Sequence, residues 1–317
     1  MTGFGYNVSG FGSFPNRDNS LKVQLALIAG GGAGGHRYGG GGGAGGFFAS
    51  PERGFLPSIG YAITIGAGGT AAANQAVNGA DSTIVANEGA GSATIYQSKG
   101  GGGGGGSTSD VNPNNGGSGG GGYIRTNGAG AGTKGSADNS SYNSTGTDGV
   151  QGVASNLSTN DGYMLAGGGG GSSASAIEGV NTQSDPQGRT GSVGGAGTAW
   201  LDGTTYAGGG GGSIEQRYST QAVTGVGGSG GGGQGGVAKN YFGDTNLVNA
   251  TSGSTNTGSG GGGANYMAPI TGARGNGGSG VVIIRYAGGT AASGGTITAT
   301  GGFTYHTFTS SGTFTPS

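Results

Sequence analysis

Seven uninterrupted glycine blocks constrain this chain more than any other feature: residues 39–43, 100–106, 119–122, 167–171, 208–212, 230–233 and 260–263. Glycine loses more conformational freedom on folding than any other residue, and runs of it ordinarily make slack linkers. Two of the blocks share a grammar that a linker would not need. "MLAGGGGGS" from Met164 and "TYAGGGGGS" from Thr205 each place an apolar residue and Ala before five glycines and Ser after them. An entry residue, a fixed length and an exit residue that recur make a degenerate internal repeat. The blocks therefore read as folded elements.

A glycine run in the threefold, polyproline-II-like conformation rises about 3.1 Å per residue and has no internal hydrogen bonds, so its N–H and C=O groups point sideways. Buried, those groups must be paired. Without Cβ atoms such rods approach closely enough to bond several neighbours, with weak Cα–H···O contacts added. A seven-residue block would span about 22 Å and a five-residue block about 15 Å. Ordering costs about 1–2 kcal/mol per residue, so only many rods together can be stable. The fold class expected is all-β and irregular: a packed polyglycine-II helix lattice flanked by short antiparallel β-strands, with essentially no α-helix. Gly39, Gly103, Gly120, Gly169, Gly210, Gly231 and Gly261 mark its rods. A glycine-rich β-sandwich or solenoid and substantial disorder are the competing readings of the same composition.

The flanks carry ordinary strand patterns. Leu21, Val23, Leu25 and Leu27 alternate, as do Ile59, Tyr61, Ile63 and Ile65, and each series runs into glycine. Residues 81–85 and 92–96 are short β-branched runs, the first preceded by an Asn78-Gly79 turn signal. Residues 281–286 contain a continuous apolar run that predicts a strand buried on both faces. Residues 307–315, "TFTSSGTFT", read as a hairpin closed by Ser310-Ser311-Gly312. The organisation expected is an N-terminal segment, 1–19, suited to attachment, and a glycine-rich domain, 20–317. In the latter, strands in 20–99 and 279–317 bracket glycine rods and loops in 100–278.

Composition excludes several functions. The 317 residues include 90 glycines but only 7 prolines, and the blocks lack the strict every-third-residue period of collagen. Charged residues are 8% and the formal net charge is −1, which leaves no basic surface for nucleic acid. With no cysteine there is no disulfide or thiolate site. The first residues lack a cationic region followed by an apolar one, so no signal peptide is expected. No apolar run is long enough for membrane insertion.

Chemical motifs are equally scarce. Glycine is so frequent that G-x-G-x-x-G arises by chance, and "GAGAGTKGS" at residues 128–136 has Gly135 where a phosphate loop requires Ser or Thr. His306 sits in a strand pattern and reads as structural; His36, in "GGHRYGG", reads as a loop contact. The 13 Asp and Glu are scattered through loops and form no recognisable glycosidase constellation, and no serial calcium-binding repeat is present. Neither an enzyme, a metal site nor a cofactor is expected. The aromatic residues between glycine blocks carry more information. Tyr142, Trp200, Tyr206, Tyr218, Tyr241, Phe242 and Tyr266 lie in polar segments, where a flat ring can stack on a sugar or fill a partner's pocket. The same rings could instead cover the lattice edges as small satellite cores.

The ordered series "LALIAGGGAGG", "YAITIGAGG", "GADSTIV", repeated "AGGGGGS", "GSGVVIIRY" and "YHTFTSSGTFT" resembles the glycine-rich domain of bacteriophage tail-fibre proteins. It is similar in particular to the distal tail-fibre adhesins of T-even-like phages, over about residues 20–317. The resemblance implies stacked polyglycine helices joined by variable loops that recognise a bacterial surface protein or glycan. It also implies other virion fibre proteins as partners, a monomeric or homotrimeric tip, and a place on the virion after synthesis in the host cytoplasm. Residues 1–19 match no attachment domain. The alternative is a purely structural virion fibre or extracellular matrix protein that binds no receptor.

Overall fold

The computed structural model describes residues 19–71, 76–88, 91–107, 112–123, 153–154, 163–179, 191–216, 224–241, 244–267 and 270–317. Every regular element among them is a strand, and all strand pairings but one are antiparallel.

The two ends of the chain build a β-sandwich. One sheet runs in the order Thr296–Thr300, Phe303–Phe308, Val281–Ala287, Leu21–Ile28, Phe47–Phe55. The other runs Ala292–Ser293, Gly312–Pro316, Tyr61–Thr64, Ser82–Glu88, Gly91–Ser98. Between them lies the main apolar core, in which the alternating Val23, Leu25 and Leu27 meet Phe55, Tyr61, Ile63, Ile84 and Phe314. Phe55 contacts both Tyr61 and Phe314 edge-on, at 4.3 and 5.7 Å between ring centroids. The apolar run 281–284 is buried on both faces, as expected. Val282 and Ile284 enter this core, while Val281 and Ile283 face the opposite side of the sheet.

Residues 307–315 do not form the expected hairpin. Phe303–Phe308 pairs with Val281–Ala287 in one sheet, and Gly312–Pro316 pairs with Tyr61–Thr64 in the other. Phe308 and Phe314 both belong to the core between the sheets, so the loop carries the chain across the sandwich instead of turning it back within a sheet.

Beyond the sandwich the strands continue as glycine rods. Leu21–Ile28 passes directly into residues 29–35, where successive amides point to three neighbours in turn. Gly30 and Ala33 donate to Ala80 and Val77, Gly31 and Gly34 to Gly278 and Gly275, and Gly32 and Gly35 to Gly43 and Gly40. Bonding with period three is what a threefold rod requires. Residues 39–46 are bonded from every side. Their amides donate at 2.7–3.0 Å to three segments, 258–264, 99–105 and 167–170. Their carbonyls accept from three others, 29–35, 118–121 and 210–213. Six segments thus bond to this one rod.

Gly39, Gly103, Gly120, Gly169, Gly210 and Gly261 all take part in this network. Gly231 does not continue a rod. It lies in a turn at φ +98°, beside Gly230 at +96°, where the chain reverses between two rods and only glycine is unstrained.

At the lattice edge side chains replace missing carbonyls. Gly100 and Gly103 donate to Asp81 Oδ1 at 2.8 Å and Asn78 Oδ1 at 2.9 Å, and the spacing of three matches the rod. The Asn78-Gly79 pair is therefore no hairpin turn; Gly79 donates to Gly101 within an edge rod. Serine hydroxyls join lattice to sandwich. Ser82 Oγ accepts from the Gly66 amide at 2.9 Å and donates to the Ile28 carbonyl at 2.8 Å, and Ser98 Oγ donates to the Gly46 carbonyl at 2.5 Å.

His306 is buried in the sandwich with its ring satisfied in the neutral form: Nδ1–H donates to the Gly294 carbonyl at 2.7 Å, and Nε2 accepts from the Tyr286 hydroxyl at 2.9 Å. Burial lowers its pKa, and His36 is lowered as well, to about 4, by burial and the nearby Arg274 and Arg37. The unfolded chain therefore takes up protons near pH 6.5 that the folded chain refuses. Thermal stability is expected to fall as the pH drops below about 6.5, and a His36→Asn variant should show a shallower decline in melting temperature. An unchanged slope would dissociate His36 from the effect.

The packing also sets a steric test. A Cβ on Gly42 would overlap the Gly32 carbonyl, and the branched side chain of Gly103→Val would enter the Ala76 backbone, whereas Gly289 has open space around it. Gly42→Ala and Gly103→Val are expected to lose about 1–3 kcal/mol or more in denaturant unfolding. Gly289→Ala should be neutral or gain about 0.4–1 kcal/mol. Equal stability of all three variants would mean that the rods are slack chain.

Candidate binding surface

The rods alternate in direction, and this separates the molecule into two ends. Pairing places residues 29, 46, 99, 207, 258 and 280 next to the sandwich, and residues 35, 39, 105, 213, 264 and 272 at the opposite, distal end. The distal end carries its own small strands. Ile214–Gln216 pairs antiparallel with Tyr163–Leu165 and parallel with Val237–Tyr241, which pairs with Asp244–Val248. Tyr266–Met267 pairs with Ile270–Thr271. The described residues that flank 72–75, 108–111, 124–152, 155–162, 180–190, 217–223, 242–243 and 268–269 also lie at this end. Ile177 and Val248, 65% and 49% exposed, are large apolar side chains here that the sequence reading missed.

Of the aromatic residues singled out in the sequence, Trp200 and Tyr206 belong to the other end. They lie on the short hairpin of Thr198–Ala199 and Thr205–Tyr206, and at 8% and 7% exposure they are core residues. With Ala26, Ile28, Phe47, Val281, Ile283 and Tyr305 they cover the outer face of the sandwich. The reason is the apolar run 281–284: a strand that is apolar on both faces needs a second cover, and this hairpin supplies it. Tyr206 donates its hydroxyl to Asp202 Oδ2 at 2.6 Å, and burial together with that carboxylate raises the phenol pKa. Both rings are thus unavailable for partner contact.

Tyr266 and Tyr241 are distal. Tyr241 ends the Val237–Tyr241 strand. Tyr266 is half-buried, with the Arg37 guanidinium 3.6 Å from its ring centroid and Tyr38 edge-on at 5.9 Å. Tyr142, Tyr218 and Phe242 lie outside the described residues.

Two clefts contain charged groups. The first, about 290 Å³, is lined by Lys22, Gln24, Glu52 and Arg285 on the sandwich. There Arg285 donates from Nε to Gln24 Oε1 and from Nη1 to the Leu201 carbonyl and the Tyr305 hydroxyl, with its guanidinium 4.3 Å from the Phe303 ring centroid. It is a structural clamp between the sheet and the Trp200 hairpin. The second cleft, about 490 Å³, lies at the distal end and is lined by His36, Ala71, Gly272, Ala273, Arg274 and Asn276. Among the described residues no group of His, Asp and Glu is placed to hold a metal ion.

A sandwich that continues into a hydrogen-bonded lattice of glycine rods defines an all-β, glycine-rich protein. The sequence profile of the family described as "Glycine-rich domain" matches residues 9–231. That is more than half of the chain, which belongs to this family. No curated protein and no solved structure matches it significantly.

Because Trp200 fills the outer face of the sandwich, Trp200→Ala is expected to cost about 3–5 kcal/mol of stability. Denaturant unfolding measures it, and a loss below about 1 kcal/mol would return Trp200 to the list of surface contacts.

Proposed function

We propose that this protein is the tip adhesin of a bacteriophage tail fibre, binding a bacterial surface protein or glycan through its distal end, without catalysis. The observation that carries the reading is the division of labour between the ends. One end is a sandwich closed by two apolar clusters, and the other carries the turn 36–38 and short strands of its own. Recognition residues are commonly carried on loops that a rigid scaffold positions. A lattice bonded on six sides is such a scaffold. The resemblance to the glycine-rich domain of tail-fibre adhesins supports the same assignment, and with it a place on the virion, polyglycine-II rods and attachment to other fibre proteins through the opposite end.

The chain contains no cysteine, so single cysteines can be introduced and capped with a bulky polymer. Ile177→Cys and Val248→Cys place the polymer at the distal end, and Ile297→Cys places it on an exposed edge strand of the sandwich. Purified protein is expected to bind susceptible bacterial cells, and labelling at Ile177→Cys or Val248→Cys should abolish binding while labelling at Ile297→Cys leaves it intact. Binding lost only with the sandwich label would reverse the orientation. Failure to bind any bacterial surface would favour the purely structural fibre.

A further inference from the structure

The distal cleft lies beside a three-residue turn, 36–38, that reverses the chain between the first two rods. Arg37 and Tyr38 hold φ of +44° and +50°, the left-handed region in which residues other than glycine are uncommon. In a chain with 90 glycines, these two positions keep large side chains where glycine would sit without strain. Strained residues of this kind cluster at ligand-binding features.

Two guanidinium nitrogens around the turn are buried donors without an acceptor. Arg37 lies against Tyr266, and its Nε is buried without a hydrogen-bond partner. Arg274, on the neighbouring edge rod, gives Nη2 to the Ala71 carbonyl at 3.3 Å, while its Nη1 is buried without a partner. Among the described residues neither guanidinium is ion-paired and no carboxylate lines the cleft. Asn276 spends its Oδ1 on the Ala71 amide at 2.8 Å, which leaves its Nδ2–H₂ as the remaining polar group. His36 completes the wall, and the two cations already disfavour its protonation.

We propose that this cleft is a phosphate-binding site, with the Arg274 guanidinium and Asn276 Nδ2 as donors to the phosphate oxygens and Arg37 supplying a second positive charge beside it. Two uncompensated guanidiniums match the charge of a phosphate monoester, about −1.5 to −2 at neutral pH. Guanidinium–phosphate bonds are among the stronger hydrogen bonds in proteins. The ligand class is a phosphate group, free or carried on a saccharide. The inference does not rest on the adhesin reading, because it concerns the purified chain alone.

The protein has two histidines, and His306, buried in the sandwich, serves as an internal control for His36 in a nuclear magnetic resonance titration. Adding inorganic phosphate is expected to shift the His36 ring signals and raise its pKa from about 4, with His306 unmoved. Tighter binding of a hexose phosphate than of inorganic phosphate would identify a phosphorylated saccharide as the source; the reverse would identify the free anion. Arg274→Gln should weaken binding about tenfold. Asn276→Asp, which adds a carboxylate to the cleft, should abolish it, and serves if the first variant does not fold. Unmoved His36 signals, binding of acetate as tight as phosphate, or wild-type affinity in a folded Arg274→Gln variant would each overturn the proposal.

Discussion

The amide–carbonyl bond between rods without side chains is the interaction on which the rest of the structure depends. A strand in a sheet bonds in one plane and uses its side chains to meet the next layer, about 10 Å away. A rod such as 39–46 bonds in three dimensions, because its donors turn through three directions and nothing projects to hold a neighbour off. The consequence is a solid of backbone. It needs glycine at most interior positions, since a Cβ at almost any of them would meet a carbonyl of the next rod, and a small side chain such as that of Ala44 is accommodated where the rod approaches the sandwich.

Such a solid has little apolar surface with which to drive its own assembly, and each hydrogen bond contributes a net of only about 0.5–1.5 kcal/mol. The sandwich provides the complement. Its aromatic and aliphatic core fixes strand ends from both halves of the chain, so that rods leaving Ile28, Thr64 and Ser98 start side by side. Side chains then shrink to nothing across the junction, and layers separated by a core converge until Gly69 bonds directly to Gly31. Ser82 and Ser98 sit where the two spacings meet, their hydroxyls donating to the Ile28 and Gly46 carbonyls at the start of the rods.

The sequence made the extremes of this design legible. Pure glycine blocks marked the interior rods, and strict alternation at Leu21, Val23, Leu25 and Leu27 marked a sandwich strand. What escaped was everything intermediate. Edge rods need glycine where they face inward, as at Gly275 and Gly278, which are buried against neighbouring carbonyls while Ala273 and Asn276 are exposed. A period-three search would have found them, but such stretches look like loops when only blocks are counted. Residues 307–315 misled because a turn motif specifies a reversal within one sheet and cannot reveal that Phe308 and Phe314 share a core across two sheets. Trp200 and Tyr206 misled because local polarity says nothing of a distant apolar run in need of cover. The distal cleft left one trace, "HRY" between glycine blocks, but the partnering of Arg37 with Tyr266 and the approach of Arg274 depend on how rods lie side by side.

The period of three also governs how such a chain can change length. One residue inserted into an interior rod would turn everything beyond it by a third of a revolution, handing each amide to the wrong neighbour along the whole remaining rod. Three residues inserted together would restore the phase and lengthen the rod by one repeat. Residues inserted at a distal turn would disturb no phase at all, because both rods that meet there are held from the sandwich end. Length variation is thereby channelled to the turns, and the interior tolerates it only in triplets.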